Sequence, residues 1–293
     1  MSIVAALIVL LSFGDMKGRH AHGVELFKQH RYLDAVAEFQ AVLQTEQKGS
    51  TDYNESALII GQSFFTLSRF ADAIPWLEKI PLTNESSYML GYAYQQVGRS
   101  KESVQAFARL FGVNPESAGA YLLTGQMLIK KQLDNAGLKQ VKRALALDPK
   151  LPEAHYLLGE IAMFHGLLTE SVDEFQKELS INPNFSKAWY CLGDAYTRQS
   201  NWDMAIVNLQ RSIWLNKDFS APYILLGKCY YKKSEWLKAE HALRQALNLD
   251  PVNYIANFLL GQTLIKAGRN QEGSEFLKKS VSLRPANSTL MNE

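Results

Sequence analysis

Residues 186–209 read Ser-Lys-Ala-Trp-Tyr-Cys-Leu-Gly-Asp-Ala-Tyr-Thr-Arg-Gln-Ser-Asn-Trp-Asp-Met-Ala-Ile-Val-Asn-Leu. Within this stretch, Trp189, Leu192, Gly193 and Tyr196 follow the spacing W-x2-L-G-x2-Y. The three large apolar side chains lie three or four residues apart, so they form one stripe along a helix. A polar turn and a second apolar segment follow. The stretch therefore predicts a hairpin of two helices.

The glycine of this stretch recurs at a fixed interval along the chain. Six glycines are each 34 residues apart: Gly91, Gly125, Gly159, Gly193, Gly227 and Gly261. Gly23 and Gly61 precede them with steps of 38 and 30 residues, which together make two periods. Prolines occupy a second series with the same period, in which Lys217 stands at the one missing point: Pro115, Pro149, Pro183, Pro251 and Pro285. The chain therefore consists of tandem repeats of about 34 residues.

A glycine inside a helix costs about 1 kcal/mol relative to alanine, so its repetition requires a packing reason. We expect the second helix to pass close to Gly193, with Ala205 as the small residue that faces it. The proline of each repeat ends the second helix, because proline lacks an N–H and disfavours helical geometry at the residue before it.

The W-x2-L-G-x2-Y spacing, Ala205 and the 34-residue period together resemble the tetratricopeptide repeat. The resemblance covers residues 16–287 and implies an all-α fold, a TPR α-solenoid in which antiparallel helix pairs stack into a right-handed superhelix. One pair buries too little surface alone, so stability comes from stacking. Eight repeats are predicted, at residues 16–49, 54–83, 84–117, 118–151, 152–185, 186–219, 220–253 and 254–287.

The first two repeats are irregular. Lys48–Asn54 is predicted to form a long polar loop. Pro75 falls in the second helix of repeat two and is tolerated only in a first turn, so we expect that helix to begin near Asp72 and to be short. Pro81 ends it. The regular stack should be disturbed here.

Residues 1–14 contain the apolar run Ile3–Leu11, which is too short to span a bilayer. It fits the core of a secretory signal peptide, with Ser12 and Gly14 as small residues near a cleavage point, although no basic residue precedes it. The favoured expectation is export to the periplasm or outside the cell. An uncleaved membrane-associated anchor and a helix packed on the first repeat, in a cytoplasmic protein, stay open as alternatives.

Residues 288–293 form a short tail after repeat eight. No amphipathic capping helix is visible in it, so the last helix pair should leave an apolar face uncovered. Either the tail folds back on this face or a partner covers it, which includes self-association through the C-terminal repeat.

Composition and motifs argue against several functions. The chain has 293 residues, 47% of them hydrophobic, and a net charge of +2, too small to suggest nucleic-acid binding. No motif of an enzyme, cofactor site or metal site appears, and His20 and His22 are two residues apart on different faces of a helix. Cys191 and Cys229 read as small buried thiols, with a disulfide as the alternative in an oxidising compartment.

The resemblance implies that first helices line a concave groove, where partners bind. The candidate binding residues, assigned by repeat position, are Tyr88, Tyr92, Gln95, Gln126, Tyr156, Glu160, Tyr190, Asp194, Arg198, Lys228 and Tyr231. Tyrosine suits contact surfaces because it offers a large rigid area with a polar tip. Sideways packing on neighbouring first helices is the alternative for each ring.

A protein or peptide partner is therefore expected, with no small-molecule substrate. One subtype of the family binds C-terminal carboxylates of chaperones, but other residues occupy its required positions in every run of three repeats. In the set that starts at repeat four, for example, only Lys187 matches. We expect a non-enzymatic scaffold that helps assemble an envelope or secretion complex. A cytosolic adaptor or co-chaperone is the alternative, and the regulatory portion of an enzyme is a third hypothesis.

Overall fold

The computed structural model describes residues 17–284, and the regular secondary structure in that range is entirely helical. Sixteen helices follow one another in this part of the chain: α1 (17–28), α2 (Tyr32–Val42), α3 (Thr51–Thr66), α4 (Phe70–Leu77), α5 (Asn84–Gln96), α6 (Ser100–Leu110), α7 (Ala118–Lys130), α8 (Asp134–Leu147), α9 (Ala154–Phe164), α10 (Leu168–Ile181), α11 (Ser186–Arg198), α12 (Trp202–Leu215), α13 (Ser220–Lys232), α14 (Trp236–Leu249), α15 (Tyr254–Lys266) and α16 (Asn270–Leu283). The all-α prediction is confirmed.

The chain divides into two compact units, Met1–Pro149 and Lys150–Glu293. Unit one contains α1–α8 and unit two contains α9–α16. In unit two each odd-numbered helix, the first of its pair, packs on the even-numbered helix that follows it, and successive first helices also touch. This arrangement gives unit two one surface made by first helices and another made by second helices.

The core of unit two lies between the helices of each pair. Phe175 and Leu209 are fully buried and pack in one cluster with Leu192 and Tyr196. A Cβ atom on Gly193 would lie 2.7 Å from Cγ of Leu209. The expected close approach at the repeated glycine is therefore confirmed.

The start of α4 differs from the prediction. The helix begins at Phe70 and not near Asp72, which makes Pro75 its sixth residue. Pro75 and Ala71 are both exposed, so the Ala71 carbonyl that loses its helical donor can bond to water. The helix is nevertheless short, at 8 residues against 14 for α12.

The predicted loop at Lys48–Asn54 is wrong in its second half. Helix α3 begins at Thr51, because the Ser50 side chain accepts a hydrogen bond from the Tyr53 N–H and caps it. The helix is 16 residues long against 13 for α5, so much of the extra sequence in this region extends a helix.

Residues 1–14 and 288–293 lie outside the described part of the chain, so the predictions made for them stay predictions. Within residues 17–284, no helix combines the length and hydropathy needed to cross a bilayer.

Candidate functional site

In unit one, the predicted binding residues lie on α5 and α7 and are half-buried. The ring of Tyr92 packs edge-on against Phe65 and Phe70, at centroid distances of 5.7 and 5.6 Å. The ammonium group of Lys131 lies over the Tyr88 ring, 5.5 Å from its centroid. Part of the surface of each tyrosine ring is therefore covered by neighbouring side chains.

The other two predicted binding residues of unit one, Gln95 and Gln126, differ in their surroundings. The Gln95 side chain accepts a hydrogen bond from the Ser100 hydroxyl at 3.3 Å, across the turn between α5 and α6. Gln126 is half-buried on α7. Gln95 thus helps to fix the turn.

In unit two, the predicted contact residue Tyr156 is buried and not exposed. Its side chain is only 6% exposed, and its ring packs on Phe185 at a centroid distance of 5.0 Å. The hydroxyl donates to Glu160, and the Lys187 ammonium lies 5.0 Å from the ring centroid. Burial raises the pKa of this phenol, as do the nearby Cys191 and the bond to Glu160. Tyr156 therefore ties α9 to α11 from the inside.

Helix α11 carries Tyr190, Asp194 and Arg198 on one face. Arg198 donates to Asp194 at 3.1 and 3.3 Å, so the pair is already formed. The Tyr190 ring packs on Phe219 at 4.9 Å, and burial together with the charge of Asp194 raises the pKa of Tyr190 to about 12. At neutral pH this phenol is protonated and can donate a hydrogen bond to a partner.

Helix α13 contributes Lys228 and Tyr231, both half-buried. The Tyr231 ring packs edge-on against Trp236 at 5.3 Å. On α9, the Glu160 carboxylate is 3.7 Å from the Lys187 ammonium, which leaves this acid partly neutralised. The face thus offers aromatic surface between polar groups.

Three apolar residues on α15 that were not predicted from the sequence extend this face. Ile255, Phe258 and Ile265 are 38%, 40% and 36% exposed. Phe258 follows Tyr190 by two periods, and Ile265 follows Tyr231 by one, so they occupy the same positions of the repeat. The 34-residue period marks these positions, although they carry no tyrosine. The first-helix face of unit two hereafter means these residues: Glu160, Tyr190, Asp194, Arg198, Lys228, Tyr231, Ile255, Phe258 and Ile265.

Metal ligands and cysteine thiols are the remaining candidates for chemistry in the described part of the chain. Among residues 17–284, no cluster of three or more His, Cys, Asp or Glu side chains could hold a metal ion. Cys191 and Cys229 are both free and buried, in agreement with the thiol interpretation. The Cys191 thiol lies 3.8 Å from the Tyr156 hydroxyl, and the Cys229 thiol 3.4 Å from the Thr197 hydroxyl.

The repeated helix pairs agree with a match to two family models described as tetratricopeptide repeat. One matches residues 20–86, 88–152, 135–186 and 224–288, and the other matches residues 174–207. The chain belongs to the tetratricopeptide repeat family. Proteins of this family are generally non-catalytic scaffolds, so the fold supports a role in protein interaction.

Solved structures of similar fold are known. MamA is 26% identical, with a TM-score of 0.51, and the match covers 54% of this chain and 93% of that chain. YrrB, described as a TPR protein with an unusual peptide-binding site, is 22% identical with a TM-score of 0.54, covering 63% and 95%. PilF of Pseudomonas aeruginosa is 15% identical with a TM-score of 0.56, covering 70% and 93%. A comparison with curated protein sequences found no match.

Proposed function

We propose that this TPR protein is a non-enzymatic scaffold that holds a segment of a protein partner on the first-helix face of unit two. The observation that carries the proposal is the exposed strip of Ile255, Phe258 and Ile265, which continues the face formed by Tyr190 and Tyr231. Exposed apolar side chains next to polar groups are typical of interaction sites.

The face suits a peptide or helix of mixed polarity. The α15 strip can bury apolar side chains of the partner, while Lys228 and the Asp194–Arg198 pair can bind its polar groups. A few large side chains dominate most interfaces, so Phe258 and Tyr190 should contribute most. That YrrB is described as having a peptide-binding site supports the same class of ligand for this fold.

The proposed cellular role is the assembly of an envelope or secretion complex. It rests on the apolar run in residues 1–14, which fits an export signal. A cytosolic adaptor or co-chaperone is the second candidate, favoured by the lack of a basic residue before that run. Mass spectrometry of the mature protein separates the two: loss of residues 1–14 supports export, and an intact N-terminus in the soluble cell fraction contradicts it.

Binding to the first-helix face is tested with a double variant, Phe258→Ala with Ile265→Ala. The partner is first captured with the intact chain and identified, and its affinity is then measured by calorimetry. Loss of hot-spot side chains costs about 2 kcal/mol or more, so affinity should fall by about 30-fold or more.

The control is Val207→Ala, on α12, because Val207 is 59% exposed and lies on a second helix. Lys177 and Gln210, which also lie on second helices, are less suitable controls, since Lys177 pairs with Glu174 and Gln210 donates to Tyr230. Affinity lost in the control and kept in the double variant would place the site on the second helices and contradict the proposal.

A further inference from the structure

A groove of about 570 Å³ opens on the opposite surface of unit two, between the second helices α12 and α14. Its floor is the first helix between them, α13, which contributes Leu226 and Tyr230. Trp214 stands on one wall and Leu237 on the other. These side chains are 64% and 81% exposed, and both border the same groove.

The repeats on either side show that this apolar pair is specific to one groove. At the position of Trp214, the repeats from residue 84 onward have only small or polar residues: Gly112, Ala146, Ser180, Asn248 and Ser282. At the position of Leu237 they have polar residues throughout: Lys101, Asn135, Thr169, Asp203 and Gln271. The helix pair does not require these apolar side chains, so their presence at exposed sites points to a ligand.

The loop at the end of the groove is also different from its neighbours. In the preceding repeat the Trp189 indole donates to the Pro183 carbonyl at 2.8 Å, and in the following repeat the Asn257 amide donates to the Pro251 carbonyl at 3.3 Å. At the corresponding place Lys217 replaces the proline, and it lines the groove. Lys217 is therefore a cation at a position where the repeat pattern has the apolar ring of proline.

The charges around the groove are positive. The charged side chains of its lining, Lys217 and Lys238, are both basic, and no carboxylate is among the described residues that line it. Arg211 lies over the Trp214 ring, 4.3 Å from the centroid, and adds a further cation to that wall. Lys238 is partly neutralised by Glu235 at 2.6 Å. Cations beside an apolar floor are complementary to a ligand with both apolar and acidic groups.

We propose that this groove binds an acidic amphipathic helix of a protein partner. The apolar side of that helix would lie on Leu226 and Tyr230 between Trp214 and Leu237, and its Asp or Glu side chains would meet Lys217 and Lys238. Along α14 the lining runs from Leu237 to Ala242, which is about 8 Å of helix and matches one to two turns of the ligand. A groove whose two walls are helices favours the helix-in-groove mode of binding. The proposal is independent of the first-helix face.

The test uses selection of random displayed peptides, each long enough for about three helical turns, on the full chain. The groove variant is Trp214→Ser with Leu237→Asp, which installs residues that other repeats already carry at these positions. The controls are Phe258→Ala on the first-helix face and Val207→Ser on α12. Thermal unfolding checks that every variant is folded.

We expect enriched peptides to carry Asp or Glu and apolar residues at helical spacing. Their affinity should fall about tenfold or more in the groove variant and stay unchanged in both controls. Lys217→Gln with Lys238→Gln should weaken binding at low ionic strength and have little effect near 1 M salt, where the screening length is about 3 Å.

Three results would overturn the proposal. The first is a set of enriched peptides that are basic or lack an apolar face. The second is a selection that yields no peptide sensitive to the groove variant. The third is a dimer of the chain in sedimentation that Trp214→Ser converts to a monomer, since the occupant would then be a second copy.

Discussion

Two facing glycines set how closely α7 and α8 approach each other. Gly137 stands where the repeat pattern has alanine, which by sequence alone is a mild departure. A Cβ atom on Gly137 would lie 2.5 Å from Cγ1 of Ile129 and 2.9 Å from the Gly125 carbonyl oxygen. The backbone oxygen cannot move aside easily, so α7 and α8 pack too closely to leave room for a methyl group on residue 137.

Gly137→Ala should therefore destabilise the protein, although alanine is the usual residue at this position. Overpacking costs about 1–3 kcal/mol, which should exceed the gain of about 1 kcal/mol in helix propensity. Gly119→Ala in α7 is the matched control, because only the Ser117 hydroxyl, at 3.9 Å, lies near its Cβ position. The control should raise the free energy of unfolding in urea. Equal effects of both substitutions would contradict the packing argument.

The Cys191 thiol gives a second prediction for a single residue. Burial raises its pKa from 9.0 to about 12 in the folded chain. Between these values the unfolded chain loses the proton and the folded chain keeps it, so the free energy of unfolding falls as pH rises.

Between pH 8 and pH 10, the free energy of unfolding should fall by about 1 kcal/mol less in the Cys191→Ala variant than in the unchanged protein. The reason is that each unit of pKa difference corresponds to about 1.4 kcal/mol. Urea unfolding of both proteins at each pH measures the difference. An identical pH dependence in the two proteins would show that the thiol ionises equally in both states.

The N-terminus of α9 depends on a residue from another helix. Its N-cap residue, Glu153, has a positive φ of 67° and makes no side-chain cap. The fully buried Glu178 of α10 accepts hydrogen bonds from the Glu153 N–H at 2.9 Å and the Tyr156 N–H at 3.2 Å. A carboxylate at a helix N-terminus is also favoured by the helix dipole.

Glu178→Ala should lower the free energy of unfolding by about 2–3 kcal/mol, because two N–H groups lose their acceptor. Hydrogen exchange of the Tyr156 amide should accelerate at the same time. Asp173→Ala, an exposed change in the same helix, should leave both measurements unaltered. Unchanged exchange at Tyr156 in the Glu178 variant would show that water replaces the cap.

The short helix α4 should make the second pair less stable locally. It has 8 residues and an internal proline, whereas α12 has 14 residues. Fewer hydrogen bonds and less buried area favour local opening. Native-state hydrogen exchange should therefore show lower protection in α3 and α4 than in α11 and α12. Uniform protection over these helices would contradict this expectation.

At the scale of the whole molecule, unit two has the contacts of an independent folding unit. Its helices bury the cluster around Phe175 and Leu209 and a second one around Leu243 and Leu260. Since each repeat is stabilised by its neighbours, four complete pairs should suffice for folding.

A fragment of residues 150–293 should fold alone, with a helical circular dichroism spectrum and a cooperative thermal transition. The fragment carrying Phe175→Ala serves as the control and should melt at lower temperature, since loss of a buried Phe costs about 3–5 kcal/mol. A helical fragment without a cooperative transition would mean that unit one is needed for its packing.

The sequence by itself determined the repeat, the helix pairs and the residues between the helices of each pair. These features depend on spacing within about one period, because the apolar stripe of a helix and the glycine that allows close packing are local. Burial of Phe175 and Leu209 could therefore be predicted.

Only the tertiary structure decided which repeated positions are exposed. Tyr156 and Tyr190 occupy the same position of successive repeats, but Tyr156 is buried and Tyr190 is only half-buried. Lys187 of the next first helix lies over Tyr156, whereas Ala221 holds the corresponding place beside Tyr190 and is too short to cover it. The exposure of a side chain in a stack depends on what the adjacent repeat places beside it, and the pattern of one repeat does not contain that information.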